Sequence, residues 1–359
     1  TSTIRGTVTS AGAPVAGASV EILNTNTGAK STATASGSGS FAVSGLRAGD
    51  TYTVTVNAPG YATTTITDVV TIVAQAFELP IDMAAEGAEI VVSAPRIKGA
   101  GSISQGPATV LTAAQIANVA SVNRDIRDLS RRDPFARLDD TPTVGITDSF
   151  GLNTDGLPSR RSPVPFDAIG QFQAKVAPFD VREGNFQGGS IKIVLRSGTN
   201  DFQGTGFFAY SADELNGKST KAGPGIPTGK ITLPDFTYKN YGVQLSGPII
   251  KDKLFFMIAA ERIRAPLPIP EGPTDNNAGT AIPTVTQALV DQISAIAKSK
   301  YGYDTGGVIN LNGDKDDRLV AKIDANLSDT QRLALTYTYA KDEIILGQNN
   351  FTTPTYGLG

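Results

Sequence analysis

Two consecutive runs near the C-terminal end of the sequence change character at almost every step. Leu319, Ala321, Ile323, Ala325 and Leu327 fall on one side of an extended chain, and Arg318, Lys322, Asp324 and Asn326 fall on the other. After Ser328–Gln331, Leu333, Leu335, Tyr337 and Tyr339 alternate with Arg332, Thr336 and Thr338. A period of two is the period of a β-strand, so this stretch reads as two strands joined by a short turn. Phe202 to Tyr210 gives an earlier strand with Phe208 and Tyr210 as interface aromatics. Tyr241, Val243 and Leu245 pair in a hairpin with Leu254 to Ile258 across Gly247–Asp252. The connections are unequal: Ala212 to Phe236 and Ala265 to Asp316 are long, whereas the turns at the other end are short. Soluble sandwiches alternate too, but strands of about ten residues with this asymmetry match the wall of a membrane β-barrel. About five strands are too few to close one, so the rest of the wall is expected elsewhere.

Composition removes several classes of function. The 359 residues contain no His and no Cys, which excludes Ser-His-Asp and Cys-His hydrolysis, His-ligated zinc and disulfides. A net charge of -3 gives no footprint for nucleic acid. No apolar run reaches the roughly 18 residues of a transmembrane helix, which says nothing against strands. Acid–base catalysis would rest on carboxylates alone and no paired motif stands out, so the chain is read as a non-enzyme without cofactor or metal. Asp314, Asp316 and Asp317 lack the Gly and terminal Glu of an EF-hand loop and read as a solvated loop end. Arg131-Arg132 and Arg160-Arg161 lie far from any N-terminal export signal and read as solvated or salt-bridged pairs. The sequence opens at Thr1 without a leader and ends in loop-like composition, and a fragment is expected.

Residues 1–83 alternate short strands with turns. Val20 and Ile22 share a face, as do Tyr52, Val54 and Val56, and the spacing predicts an antiparallel sandwich. Gly6-Thr-Val8, Pro14-Val-Ala-Gly17-Ala18, Val20-Glu-Ile22, Thr27-Gly28, Gly39-Ser-Phe41, Tyr52-Thr-Val54 and Gly60-Tyr61 resemble the carboxypeptidase regulatory-like domain, a transthyretin-like sandwich. That resemblance implies no peptidase activity, because the family's catalytic zinc sits in another domain. A secreted binding or spacer module of an adhesin is the plainer alternative.

Residues 101–200 begin with a capping box, Thr112-Ala-Ala-Gln115, which predicts a helix carrying Ile116 and Val119. Ser121 is placed to cap a second helix through Val122, Ile126 and Leu129, stopped by Pro134. Ile191, Ile193 and Leu195 then alternate with Lys192, Val194 and Arg196 after Gly188-Gly189, a half-buried strand. The ordered series from Ile169 through Ala177-Pro-Phe-Asp-Val-Arg182 to Arg196-Ser-Gly-Thr-Asn200 resembles the end of the plug domain of TonB-dependent outer-membrane transporters, in wording most like the Oar-like branch. The Arg-Gly strand and Val-Asp-Gly turn usual in such plugs are missing, and the chain passes quickly from Asp139 to Asn153. Ligand contacts from that part therefore do not transfer. A last capping box, Thr284-Val-Thr-Gln287, predicts a helix in the second long loop with Leu289, Ile293 and Ile296 on one face.

The expected fold class is thus mainly β: a sandwich at 1–83, a linker at 84–100, an α+β plug at 101–200, and the first strands of an antiparallel transmembrane barrel at 201–359. Within the linker, Glu89-Ile90-Val91-Val92-Ser93-Ala94 is a short extended, apolar run before Pro95, suited to strand addition. By itself it is equally a last strand or a linker. The resemblance implies that Glu89, Ile90, Val91, Val92, Ser93 and Ala94 form the TonB box, pairing in the periplasm with TonB of the inner-membrane energising complex. It also implies an extracellular ligand such as a metal chelate, oligosaccharide or peptide, and a barrel set in outer-membrane lipid. A SusC-like glycan importer and a secreted adhesin are the alternatives; detergent dependence separates the second.

Overall fold

The computed structural model describes residues 2–73, 76–86, 90–93, 108–119, 121, 124, 126–130, 132, 150–154, 157–159, 164–176, 189–223, 228–230, 235–268, 271–275, 280–282, 284–306, 308, 311–329, 331–345, 349–350 and 355–356. They form two compact units. The first holds residues 1–205, 244–259 and 319–338, and the second holds 206–243, 260–318 and 339–359.

The first unit starts as a sandwich of two sheets. One contains β1 (Ser2–Ser10), β2 (Ala13–Pro14), β5 (Ser40–Leu46), β8 (Ala76–Glu78) and β9 (Ile81–Asp82), all meeting on β1. In the other the order is β10 (Ile90–Ser93), β7 (Thr64–Val70), β6 (Thr51–Asn57), β3 (Ser19–Asn24), β4 (Lys30–Thr34). Ile4, Val8, Val20, Ile22, Phe41, Leu46, Tyr52, Val54 and Val56 are buried together between them, as the alternation demands. Gly6 is where β1 passes so close to Leu79 that a Cβ would strike the Leu79 backbone. Deep in this core, the Tyr52 hydroxyl donates to Arg47 O at 3.0 Å, and burial pushes the phenol well above its ordinary range.

A further five-stranded sheet has the order β11 (Ala108–Thr112), β14 (Ile169–Val176), β15 (Gly189–Leu195), β12 (Phe150–Thr154), β13 (Leu157–Ser159). Helix α1 (Ala113–Ala117) begins at the expected box, Gln115 Oε1 accepting from Thr112 N–H at 2.9 Å. The second helix does not begin at Ser121. Helix α2 spans Ile126–Ser130, and Ser121 Oγ donates to Asp128 within it. The Ala177–Arg182 motif, Arg131, Arg160-Arg161, Asp139–Asp148, Glu89 and Ala94 lie outside the described residues.

Five long strands form the last large sheet: β16 (Gln203–Ala212), β17 (Thr237–Ile250), β18 (Leu254–Pro268), then, after the short β19 (Glu271–Gly272) and β20 (Thr280–Ala281), β21 (Leu311–Asn326) and β22 (Arg332–Ile345). Four of them run 14 to 16 residues, longer than expected. Gly247 to Ile250, expected as turn, remain in β17. The chain reverses over Lys251–Lys253 because Asp252 adopts the left-handed conformation, φ 63°.

In the second unit, helix α3 (Gln287–Tyr301) is capped by Thr286, whose side chain accepts from Leu289 N, and not by Thr284. The Gln287 side chain reaches forward to Asp291 and forms no box with Thr284. Leu289, Ile293 and Ile296 do share a face, and that face is exposed. The aspartate cluster is not a loop end: Asp314, Asp316 and Asp317 lie on β21. Asp317 pairs with Arg262 at 2.7 Å and Arg264 at 3.0 Å, and Asp316 pairs with Arg318 at 2.7 Å.

Candidate functional site

Four residues of the candidate partner-binding segment are described, and all four are already in a sheet. Strand β10 lies parallel to β7, with Ile90 beside Thr64, Val91 beside Thr65, Val92 beside Ile66 and Ser93 beside Thr67. Among the described residues β10 is the end of the sandwich sheet. The last described pair is Ser93 with Thr67, and an irregularity of β7 lies beside it. Between the β6–β7 pairs Tyr52–Val69 and Val54–Ile66, two residues, Thr67 and Asp68, stand opposite one, Thr53. This β-bulge, with Asp68 at φ 62°, turns the edge of β7 away from a continuing ladder.

Beyond the bulge, the chain leaving β7 is tied to the central sheet. Gln171 of β14 is fully buried, and its Oε1 accepts from Val73 N at 2.8 Å while its Nε2 donates to Thr71 O at 3.3 Å. One amide side chain therefore pairs the half-buried Val73 N–H and adds a second partner to the buried Thr71 O, which also accepts from Gly49 N at 2.8 Å; an apolar residue there would take the partner from Val73 N–H. A second tie runs through Asn200. Its N–H donates to Asn26 O at 2.9 Å, its Nδ2 donates to Asp252 Oδ1 at 2.7 Å, and its Oδ1 accepts from Asp252 N at 2.9 Å. Just before it, a Cβ on Gly198 would lie 2.5 Å from Phe256 O and 2.6 Å from Gly247 O. Only glycine lets the Arg196–Asn200 segment approach the β17–β18 hairpin this closely.

A third tie is ionic. Arg47 pairs with Asp324 of β21 at 3.2 Å and lies over the Phe255 ring at 5.9 Å. Arg332 Nη2 donates to Ser31 Oγ at 2.9 Å. Arg47, Asp324 and Arg332, with Arg196, Asp50 and Lys322, line a cavity of about 910 Å³. Burial lowers the Arg196 pKa, against a smaller opposing pull from Asp167, and Arg196 Nε donates to Ile169 O at 3.3 Å. Among the described residues, Arg47 Nη1 and Asp324 Oδ2 are buried with no hydrogen-bond partner. The arrangement positions and clamps; among the described residues no group of three or more His, Cys, Asp or Glu is placed to hold a metal ion.

The central sheet also packs on the long strands. Phe172, Ile191, Ile193 and Leu195 share one buried cluster with Met257, Ala259 and Val320. On these same long strands the usual polarity is inverted. Gln244, Ser246, Lys322 and Asp324 are buried, whereas Val243, Leu245, Ile323, Leu333, Leu335 and Tyr337 are exposed. No described helix is long and apolar enough to cross a membrane.

The sequence gives no functional signal at Gln171, Arg47 or Asp324, and marks Asn200 only as the end of the Arg196–Asn200 motif. Each is polar and unremarkable in its own strand or turn, and each gains its role from a partner far along the chain. The one available signal was the glycine of Arg196-Ser-Gly-Thr-Asn200.

Residues 3–84 match the carboxypeptidase regulatory-like domain, and residues 194–270 match a family described as outer membrane beta barrel domain. With the inverted strands, these identify two parts of the chain: an N-terminal carboxypeptidase regulatory-like sandwich and, further along, a region matching an outer-membrane β-barrel domain. One curated protein to which it is similar is the TonB-dependent transporter Oar of Myxococcus xanthus, 28% identical over 113 residues, 31% of this chain and 10% of that protein. Among solved structures, the outer membrane transporter YddB from Escherichia coli is 14% identical with a TM-score of 0.44, the overlap covering 67% of this chain and 33% of that one. The siderophore receptor PirA from Acinetobacter baumannii is 17% identical with a TM-score of 0.41, covering 67% and 32%. The chain thus spans 10% of the length of the curated relative and about a third of each solved structure.

Proposed function

We propose that this chain is the N-terminal part of a TonB-dependent outer-membrane transporter. The observation that carries this reading is the buried cluster joining Phe172, Ile193 and Leu195 to Met257, Ala259 and Val320. A separate small sheet whose core is completed by the inward face of a lipid-exposed wall is what a plug inside a barrel requires. In this reading residues 101–200 are the plug and 201–359 the first strands and outer loops of the barrel. An extracellular ligand, a metal chelate, oligosaccharide or peptide, enters from outside. Residues Glu89 to Ala94 serve as the TonB box in the periplasm. TonB pairs with them by strand addition and transmits a pull powered by the inner-membrane proton gradient, which remodels the plug so that the ligand passes. No bond in the ligand is made or broken.

Backbone pairing carries the contact, so a proline in the middle of the segment removes a donor and blocks the ladder. The full-length Val91→Pro protein is expected to reach the outer membrane and to lose capture by the periplasmic domain of TonB. Undiminished capture would remove the TonB-box assignment.

A further inference from the structure

We infer that the parallel pairing of β10 with β7 is a latch, holding the partner-binding segment in a resting state that must open before the partner takes hold. This inference rests on the TonB-box reading above and adds its regulation. Three observations support it. Strand β10 lies in the chain between the sandwich and the central sheet, so a pull applied to a docked β10 is borne by β7 and reaches the following segment only after β10 leaves. The described pairing is parallel and spans four residues, Ile90–Ser93, beside the bulge at Thr67–Asp68, and a short parallel ladder next to a bulge is weak enough to exchange. The sandwich is held in place by Gln171, Asn200 and Arg47, so β7 is a fixed catch that does not travel with β10 when the segment is drawn away.

Docked and engaged states then compete, and the apparent affinity for the partner falls by the fraction of molecules that are open. The sandwich sets how readily the transporter is energised.

The chain has no cysteine, so a single engineered pair reports the latch cleanly. In full-length protein, Thr65→Cys with Val91→Cys joins register partners across β7 and β10. The disulfide is expected to form under mild oxidation. The oxidised protein is expected to bind the periplasmic domain of TonB at least about tenfold more weakly than the same sample after reduction. Reduction serves as the folding control, because both measurements use one preparation. Failure of the disulfide to form would overturn the pairing. Equal affinity in the two states would overturn the latch, since the partner would then be adding to the outer edge of a docked β10. Hydrogen exchange gives a second arm: the amides of residues 90–93 are expected to be protected without TonB, and fast exchange there would sink the latch. The TonB-box reading fails separately, if Val91→Pro without any lock leaves binding unchanged.

Discussion

The sandwich sheets and the long-strand sheet are written in the same period-two alphabet and solve opposite problems. In β3 and β6, Val20, Ile22, Tyr52, Val54 and Val56 turn inward and are almost wholly buried, at 0–1% exposure. In β22 the equivalent apolar positions turn outward: Leu333 is 59% exposed, Leu335 66% and Tyr337 58%. Across the sheet, the buried side of β17 and β21 carries Gln244, Ser246, Lys322 and Asp324. Burying apolar area drives the first arrangement in water. The second is stable only where lipid covers the apolar side and other protein or water meets the polar one. Alternation thus specifies a two-faced strand, and the medium decides which face is the inside.

Substitutions can break this contrast. Ile22→Ala removes buried methyl groups from the sandwich core and is expected to cost about 2–5 kcal/mol in denaturant unfolding. Leu335→Arg, on the lipid-facing side, is expected to cost about 1–4 kcal/mol of membrane-folding stability, depending on depth. The same residue introduced by Ala42→Arg, on the water-facing side of β5, should change stability by no more than about 0.5 kcal/mol. Near-equal effects of the two arginines would contradict a lipid-facing β22.

The ties between the regions give smaller effects. Gln171→Ala leaves Val73 N–H and Thr71 O without their side-chain partner and is expected to cost about 1–3 kcal/mol. It should speed hydrogen exchange near Thr71–Val73 while leaving the β3–β6 core protected. Tyr52→Phe loses the bond to Arg47 O, a change of about 0.5–1.5 kcal/mol at neutral pH. Its pH dependence has a definite sign. The folded-state phenol pKa lies above the unfolded one because burial favours the neutral form. Above about pH 10 the unfolded chain ionises first, so this residue's contribution is present below that pH and is lost as pH rises. The Phe variant should lose less stability than wild type in that alkaline range, measured by denaturant midpoints against pH.

Much of the local structure was legible in the residues. The alternation at Val20–Ile22 and Tyr52–Val56 located two core strands, and Thr112-Ala-Ala-Gln115 located a helix start, because both depend on neighbours within a few positions. Where two local solutions compete, the outcome was not legible. Thr284 and Thr286 both precede Gln287 at plausible spacing; Thr286 caps because its oxygen accepts from Leu289 N, while Gln287 is engaged by Asp275 and Asp291. Asp314, Asp316 and Asp317 resembled a solvated loop end and lie on a strand, where arginines neighbouring in space neutralise Asp316 and Asp317.

By itself the sequence determined that this chain builds two-faced strands, that it lacks the imidazoles and thiols of most catalytic sites, and that a short extended segment separates the sandwich from the central module. Those properties depend on side-chain type and on spacing along the backbone. Only the tertiary structure decided that the apolar faces of the long strands point outward, that Gln171 and Asn200 tie the sandwich to the central sheet and the β17–β18 turn, and that Ile90–Ser93 lie against β7. Each of these joins residues far apart in the chain, and the choice among such pairings is made by burial, bulge geometry and hydrogen-bond satisfaction, none of which is encoded at any one position.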